Sequence, residues 1–400
     1  MGCSIFKFQV LFSLLMALQI DTGTVKLIFG GDVTFSGVIK YHGRRSNCTF
    51  NNSFSQLKPY FTEADHVIVN LESPFHQYNG KKLKVLDPKK AVKLLSDLNA
   101  MSTLSYAGID VVTLANNHFI DFGEKPATVT IKNLKKLNIS YFGVTFGRQK
   151  ILKQEPLVIT KNGIRIGFLG YCATDEGCME DNYRNQTSLG PAVYNKLLLR
   201  KELKSLRKKV DIIIVFMHWG DEYATVLPKK YGLKLILQMV PYADIIIGSH
   251  PHVTQEHFYH KNVLVVPSLG NLLFPTHGTI MEEFRDRGEN TSKEKVDDVW
   301  YKETKVMKPE TTVGKLVKIE INKNGVIKGK TKFLLTQIAV NEKHCMYVKK
   351  KGNSTWETIC GKNDKDCAGT SDCNELQCDD QKKVMPKNKK KPKHIYEPLL

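Results

Sequence analysis

Apolar residues along this chain gather into short β-branched runs that stop abruptly in polar side chains. In GIDVVTLANNHFIDFG, from Gly108 to Gly123, the run Ile109 to Ala115 has the composition and length of a buried strand and stops at Asn116, Asn117 and His118. The pattern recurs four times: LIFGGD ends at Asp32, HVIVNLE at Glu72, DIIIVFMHWG near His218, and DIIIGSHPH at His250 and His252. Between these runs lie patterns with helical spacing. Asp87-Pro88 reads as a helix start, followed by Val92, Leu95, Leu98, Met101 and Leu104; further helices are predicted over Lys125–Leu137, Tyr194–Lys209 and Lys229–Met239. Hairpins are expected around Asn162-Gly163 and Asn324-Gly325, the latter closing the domain near Ile338. This alternation predicts an α/β fold with mostly parallel strands, whose polar residues collect at one end of the sheet.

Composition adds an exported character. Met1 to Ile20 holds a largely apolar core, Val10 to Ile20, preceded by Lys7 and followed by DTGT, which reads as a signal peptide or short anchor over residues 1–23. Sequons at Asn47, Asn51, Asn138, Asn185, Asn290 and Asn353 fit glycosylation in the secretory pathway. Of the 9 cysteines, Cys3 would leave with the signal, and the remainder read as disulfide partners: Cys172 and Cys178 close enough to pair, and Cys345, Cys360, Cys367, Cys373 and Cys378 outside the sheet, one of them reaching Cys48 or another partner. Residues 24–340 are thus expected to form the main domain and 341–400 a cysteine-rich appendage with a disordered basic tail, while 276–308 read as a charged surface insertion. The formal charge of +19 points to an anionic partner, with Lys201, Lys204, Lys208, Lys209 and Lys389 to Lys391 as the attracting groups and no specific nucleic acid.

The strand ends carry the chemistry. Carboxylates, an amide and imidazoles delivered from five strands to one end form the donor set of a metal site, and such a mixture suits Mn, Fe or Zn better than Ca. The two imidazoles of GSHPH, at residues 250 and 252, point the same way at strand spacing and share that direction with His218. His42, His76, His257, His260 and His277 have no motif around them and read as ordinary surface or core residues.

The ordered motifs GD, NLE, ANNH, HWGDEY, GSHPHV and SLGN, over about residues 25 to 340, resemble the CapA family of poly-γ-glutamate capsule synthesis proteins, a branch of the calcineurin-like metallophosphoesterase superfamily. The resemblance implies a sandwich of central β-sheets flanked by helices and one or two divalent metal ions. It implies that Asp32 and His252 bind the first metal, that Glu72 bridges, and that Asn117, His218 and His250 bind the second. His118 would face the substrate as the catalytic acid. Asn116, Asp121 and Glu222 would stand behind the ligands and orient them, although Asp121 also reads as a helix cap. Thr34 stands where the superfamily's D-x-H motif has its histidine.

Two functions follow. One is a metal-dependent hydrolase, phosphoesterase-like, acting on a phosphoester or an anionic polymer such as poly-γ-glutamate, within a membrane-associated synthase complex. The other is a non-catalytic secreted polyanion-binding protein with a vestigial metal site.

Overall fold

The computed structural model describes residues 23–45, 48–77, 83–88, 90, 92–147, 153–174, 178, 187–228, 232–275, 309–343 and 345–359. Expectations for the signal segment, the insertion at 276–308, the sequons at Asn47, Asn185 and Asn290, the cysteines from Cys360 onward and the basic tail lie outside these residues.

Two sheets face each other. In the first, Met346–Lys350, Lys332–Val340, Val313–Asn322, Val25–Val33, His66–Leu71, Val111–Thr113 and Ser140–Phe142 lie side by side in that order. The four from Val25–Val33 onward run parallel. In the second, Ile164–Ala173, Ile212–Trp219, Ile245–Ser249 and Val263–Val266 are parallel, with antiparallel edges Leu157–Lys161 and Phe258–His260.

The two-residue period of a strand decides which face each side chain covers. Ile212, Ile214 and Phe216 join Leu27, Phe29, Ile68 and Val317 in the core between the sheets. Their neighbours Ile213, Val215 and Met217 point the other way, against Leu199, Leu203 and Leu206 of the helix Lys196–Arg207. On the outer face of the first sheet, Ile28 and Val112 pack with Leu104, Ala127 and Leu134 from the helices Ser102–Ala107 and Glu124–Lys136. Strands buried on both sides explain why the sequence shows continuous apolar runs. Each fully buried Leu, Ile or Phe contributes on the order of 1.5–3 kcal/mol, so all three apolar layers hold the sandwich, the outer layer on the first sheet being the most populous. Because each parallel set ends on the same side, polar residues at the strand ends converge there.

Several expected boundaries move. The helix expected after Asp87-Pro88 does not form: Ser96–Asp97 pairs with Phe75–His76, a single tight turn spans Leu98–Ala100, and helix begins only at Ser102. Specific polar contacts override the helical spacing. The Asp97 side chain accepts from Asn99 N at 2.9 Å, and Leu94 N donates to Asp121 Oδ2 at 2.8 Å, which fixes this stretch as extended chain. The first strand runs through Gly30 and Gly31 to Val33, so Asp32 lies within it, one residue before its end. Gly31 is required there by close approach, since a Cβ at that position would sit 1.8 Å from the Gly270 carbonyl oxygen. Ile338 is mid-strand, and the pairing continues through Met346–Lys350 to Glu357–Thr358, so the sheet runs past the boundary expected at residue 340. Cys345 sits immediately before the sheet strand Met346–Lys350 and is bonded to Cys48, while Cys172 and Cys178 are also bonded. Among the described residues no helix is long and apolar enough to cross a membrane.

The Val313–Asn322 strand also buries a lysine. Lys315 Nζ donates to the Gln255 carbonyl at 2.8 Å, and burial pushes its pKa down to about 8 from 10.5. Between those two values the unfolded chain binds more protons than the folded one, so this group makes stability rise with pH across the window, by about 3 kcal/mol at most. Chemical denaturation at a series of pH values is expected to show that rise in the native protein and a smaller one in Lys315→Met; identical pH slopes for the two would refute the assignment.

Candidate metal centre

Asp32 is the middle of the site. Near its end the Val25–Val33 strand pairs in parallel with the short strand Asn271–Leu273 as well as with His66–Leu71, and the register partners of Asp32 are Asn271 on one side and Asn70 on the other. Fully buried, its carboxylate accepts from Asn70 Nδ2 at 2.8 Å and from the His250 backbone N–H at 3.2 Å, and Oδ2 lies 3.4 Å from His252 Nδ1. Burial works to raise its pKa, but His252, Asn70 and the His250 amide outweigh it and hold Asp32 below the usual carboxylate range. Glu72, at the end of the adjacent strand, is also fully buried and is pushed well above its usual value, first by burial and then by the charge of Asp32. Two carboxylates this close, away from water, oppose each other's ionisation unless a cation joins them.

The second sheet supplies the imidazoles. His218, near the end of Ile212–Trp219, places Nε2 2.9 Å from Asn117 Oδ1 and 3.5 Å from Glu72 Oε1, with Nδ1 3.1 Å from Ser249 Oγ. His250 and His252 follow the Ile245–Ser249 strand with φ of 98° and 56°, in the left-handed region that side chains rarely adopt. Such backbone persists where the surroundings over-determine it, and it is common at binding sites. Burial depresses His218 well below its ordinary value and His250 to about 3, so both rings are neutral and keep a lone pair for a ligand. His252 moves the other way: burial opposes its charge, but the hydrogen bond and charge of Asp32 raise its pKa.

Among the described residues, three sets of side chains each bring their ligand atoms within 4.8 Å of one another: Glu72, His218 and His250; Asp32, Glu72 and His252; and Glu222, His250 and His252. The sets share members, as overlapping positions for a pair of cations would. Two buried atoms in them, Glu72 Oε1 and His250 Nδ1, make no hydrogen bond. Orphaned acceptors are costly in a closed interior, and both are donor atoms to a metal. A divalent ion therefore fits the residues present. Glu222, expected behind the ligands, is grouped directly with His250 and His252.

His118 stands beside this cluster. Its Nδ1 lies 2.7 Å from Asp121 Oδ2, and its backbone N–H donates to Asn116 Oδ1 at 3.2 Å. Asn116 Nδ2 donates to the Leu71 carbonyl at 2.9 Å and to Asn70 Oδ1 at 3.0 Å, tying the His118 segment to the strand that carries Glu72. Burial is the largest influence on His118 and leaves its pKa below the ordinary value, while Asp121 pulls it back up. Asp121 thus orients an imidazole and caps no helix. Thr34, in the position of the superfamily histidine, donates to Ser73 Oγ at 2.8 Å within a buried hydroxyl cluster that includes Ser36 and Ser96.

Four participants were not singled out from the sequence. Asn70 and Asn271 stand inside the NLE and SLGN motifs, so position within those motifs was the available signal. Ser249 likewise stands inside the GSHPHV motif, whereas Lys90 has no local signal, because its contacts are made with Asn117, His118 and Asp121, far away in sequence.

With this geometry in place, the comparison with known proteins is direct. The chain belongs to the family described as bacterial capsule synthesis protein PGA_cap, which matches residues 26–276. It is 30% identical over 224 residues to the capsule biosynthesis protein CapA of Bacillus anthracis, covering 55% of this chain and 53% of that protein. It is 26% identical over 287 residues to the PGA biosynthesis protein CapA of Bacillus subtilis (strain 168), covering 67% and 70% respectively. The chain therefore spans about half the length of the first of these relatives. Among solved structures, a hypothetical protein from Thermus thermophilus aligns with a TM-score of 0.41 at 14% identity, covering 82% of this chain and 100% of that one. A 5'-nucleotidase from Candida albicans aligns with a TM-score of 0.36 at 13% identity, covering 61% and 45%.

Proposed function

We propose that this chain is an exported metal-dependent hydrolase or transferase that acts on an anionic polymer of the poly-γ-glutamate type, or on a phosphoester in its synthesis. The observation that carries the reading is the closure of three overlapping donor sets, Asp32, Glu72, His218, Glu222, His250 and His252, with two orphaned buried atoms among them. In such a site divalent ions supply Lewis acidity and activate water at neutral pH. Asn117 Oδ1, beside His218, is the further oxygen donor of the set. His118 exchanges a proton at Nε2 while Nδ1 is held against Asp121, and its neutral ring at pH 7 follows from burial. The names of the two Bacillus relatives support the substrate class. The two disulfides support an oxidising compartment and hence export.

A second reading rests on Thr34. Its hydroxyl is turned to Ser73, so this position offers no imidazole to a first metal, which weakens that position and favours polyanion binding without turnover. The exposed Lys201, Lys204, Lys208 and Lys209 on and after the helix Lys196–Arg207 would then carry the attraction.

One experiment separates the two. Protein purified after secretion is assayed for metal content, for hydrolysis of an aryl phosphate, and for binding and cleavage of poly-γ-glutamate across a salt series. The enzyme reading expects bound metal and chelator-sensitive turnover. Polymer attraction should fade as the Debye length falls from about 10 Å at 0.1 M salt to about 3 Å at 1 M. Tight, salt-sensitive binding by a metal-free protein with no turnover would replace the first reading with the second.

A further inference from the structure

We propose that Lys90 is a positioning residue that locks Asp121, and through it fixes the ring of His118 with its proton on Nδ1 and Nε2 free to exchange. This inference rests on the reading of His118 as the proton-exchanging group. Lys90 belongs to no helix or strand, yet its side chain is only 15% exposed and its ammonium is aimed at three groups of one segment. Nζ lies 2.6 Å from Asp121 Oδ1, 2.7 Å from the Asn117 carbonyl oxygen and 3.1 Å from His118 Nδ1.

The shorter of two contacts at His118 Nδ1 decides the assignment: Asp121 Oδ2 at 2.7 Å takes its hydrogen, and Lys90 Nζ at 3.1 Å is then a close neighbour of the ring nitrogen and not a donor to it. An ionised carboxylate only accepts, and an ammonium only donates. Asp121 Oδ1 takes a proton from Lys90, while Oδ2 takes one from Leu94 N at 2.8 Å and faces His118 Nδ1 at 2.7 Å. Two acceptors at that separation would repel, so His118 Nδ1 carries the hydrogen. Lys90 and Leu94 come from the same stretch of chain and grip the carboxylate from its two oxygens, which prevents it from rotating about Cβ–Cγ. The third contact, to the Asn117 carbonyl, ties this grip to the segment that presents Asn117 Oδ1 and His118 to the cleft. Without the ammonium, Asp121 Oδ1 and the Asn117 carbonyl lose their donor, the carboxylate turns, and the imidazole is released to the alternative tautomer.

The test reads the tautomer directly, on full-length protein with histidine-selective 15N labelling. In the metal-free wild type, His118 is expected to show the Nδ1–H form; an Nε2–H form there overturns the proposal before any variant is made. In Lys90→Met the Nδ1–H population should fall, and in Lys90→Arg, which keeps the charge, it should be retained. A Met variant with the wild-type tautomer, or an Arg variant that folds but has lost it, also overturns the proposal. On the metal-loaded protein, Lys90→Met should reduce kcat by about 10- to 100-fold, the usual range for partners that orient functional side chains, with KM unchanged; a change confined to KM would make Lys90 a substrate contact instead. If the tautomer shifts as expected but the wild type has no metal-dependent turnover, the positioning role stands and the hydrolase reading fails.

Discussion

Replacing Asp32 with asparagine is expected to abolish metal retention and to lower metal-dependent turnover by more than about 100-fold, since loss of residues that merely support a ligand already costs about 10- to 100-fold. The carboxylate is the junction of the site. It holds the His250 amide and the Asn70 side chain, and it faces His252 across 3.4 Å. An amide of the same shape keeps some of these contacts but removes the negative charge that would draw a cation into a fully buried centre. A second readout needs no substrate. A ligand that binds only the folded state stabilises it by about 2.7 kcal/mol at a hundredfold excess over its Kd, so Mn(II) should raise the melting temperature of the wild type and leave Asp32→Asn unmoved. Asp32→Asn protein that still carries stoichiometric metal by elemental analysis, or still gains the thermal shift, would remove Asp32 from the ligand set.

Replacing both Cys48 and Cys345 with serine should cost about 4–5 kcal/mol of stability, a large share of the roughly 5–15 kcal/mol typical of a folded domain. The bond joins positions separated by 297 residues, with Cα atoms 5.5 Å apart. In the chain-entropy account, the restriction that a crosslink places on the unfolded state grows with the length of the loop it closes. Here it fastens the segment after the helix Gly37–Arg45 to the strand Met346–Lys350, near the end of the described fold. The same parts of the chain are also joined by Ser53 Oγ, which donates to the Met346 carbonyl at 3.2 Å, and by Met346 and Val348 packing in one core with Phe54 and Phe61. Guanidinium unfolding of wild type and the double variant, both without reductant, measures the difference. A loss below about 1 kcal/mol would mean that packing of the C-terminal strands alone holds them in the sheet.

The layers, and the convergence of polar strand ends at one side of them, are legible in local pattern. Runs such as Ile212 to Met217 are apolar at every position because both faces are buried, and that requirement is local, written into consecutive residues. For the same reason the proximity of Asp32, Glu72, Asn117, His218, His250 and His252 is expected: each interrupts or follows an apolar run, and parallel strands deliver their ends to one side. Tertiary structure decided what depends on distant partners. The spacing from Val92 to Leu104 fits a helix, but Asp121 and the Phe75–His76 strand claim that segment, and neither is near it in sequence. Glu222 was expected behind the ligands because nothing local indicates how a loop folds back; in the structure it joins His250 and His252. Lys90 carried no signal, because a lysine in an irregular stretch looks like any solvated charge until Asn117, His118 and Asp121 are brought around it. The extent of the sheet followed the same rule: strands after residue 340 pair with neighbours already in place, and edge pairing is a property of the assembled sheet more than of any short run of residues.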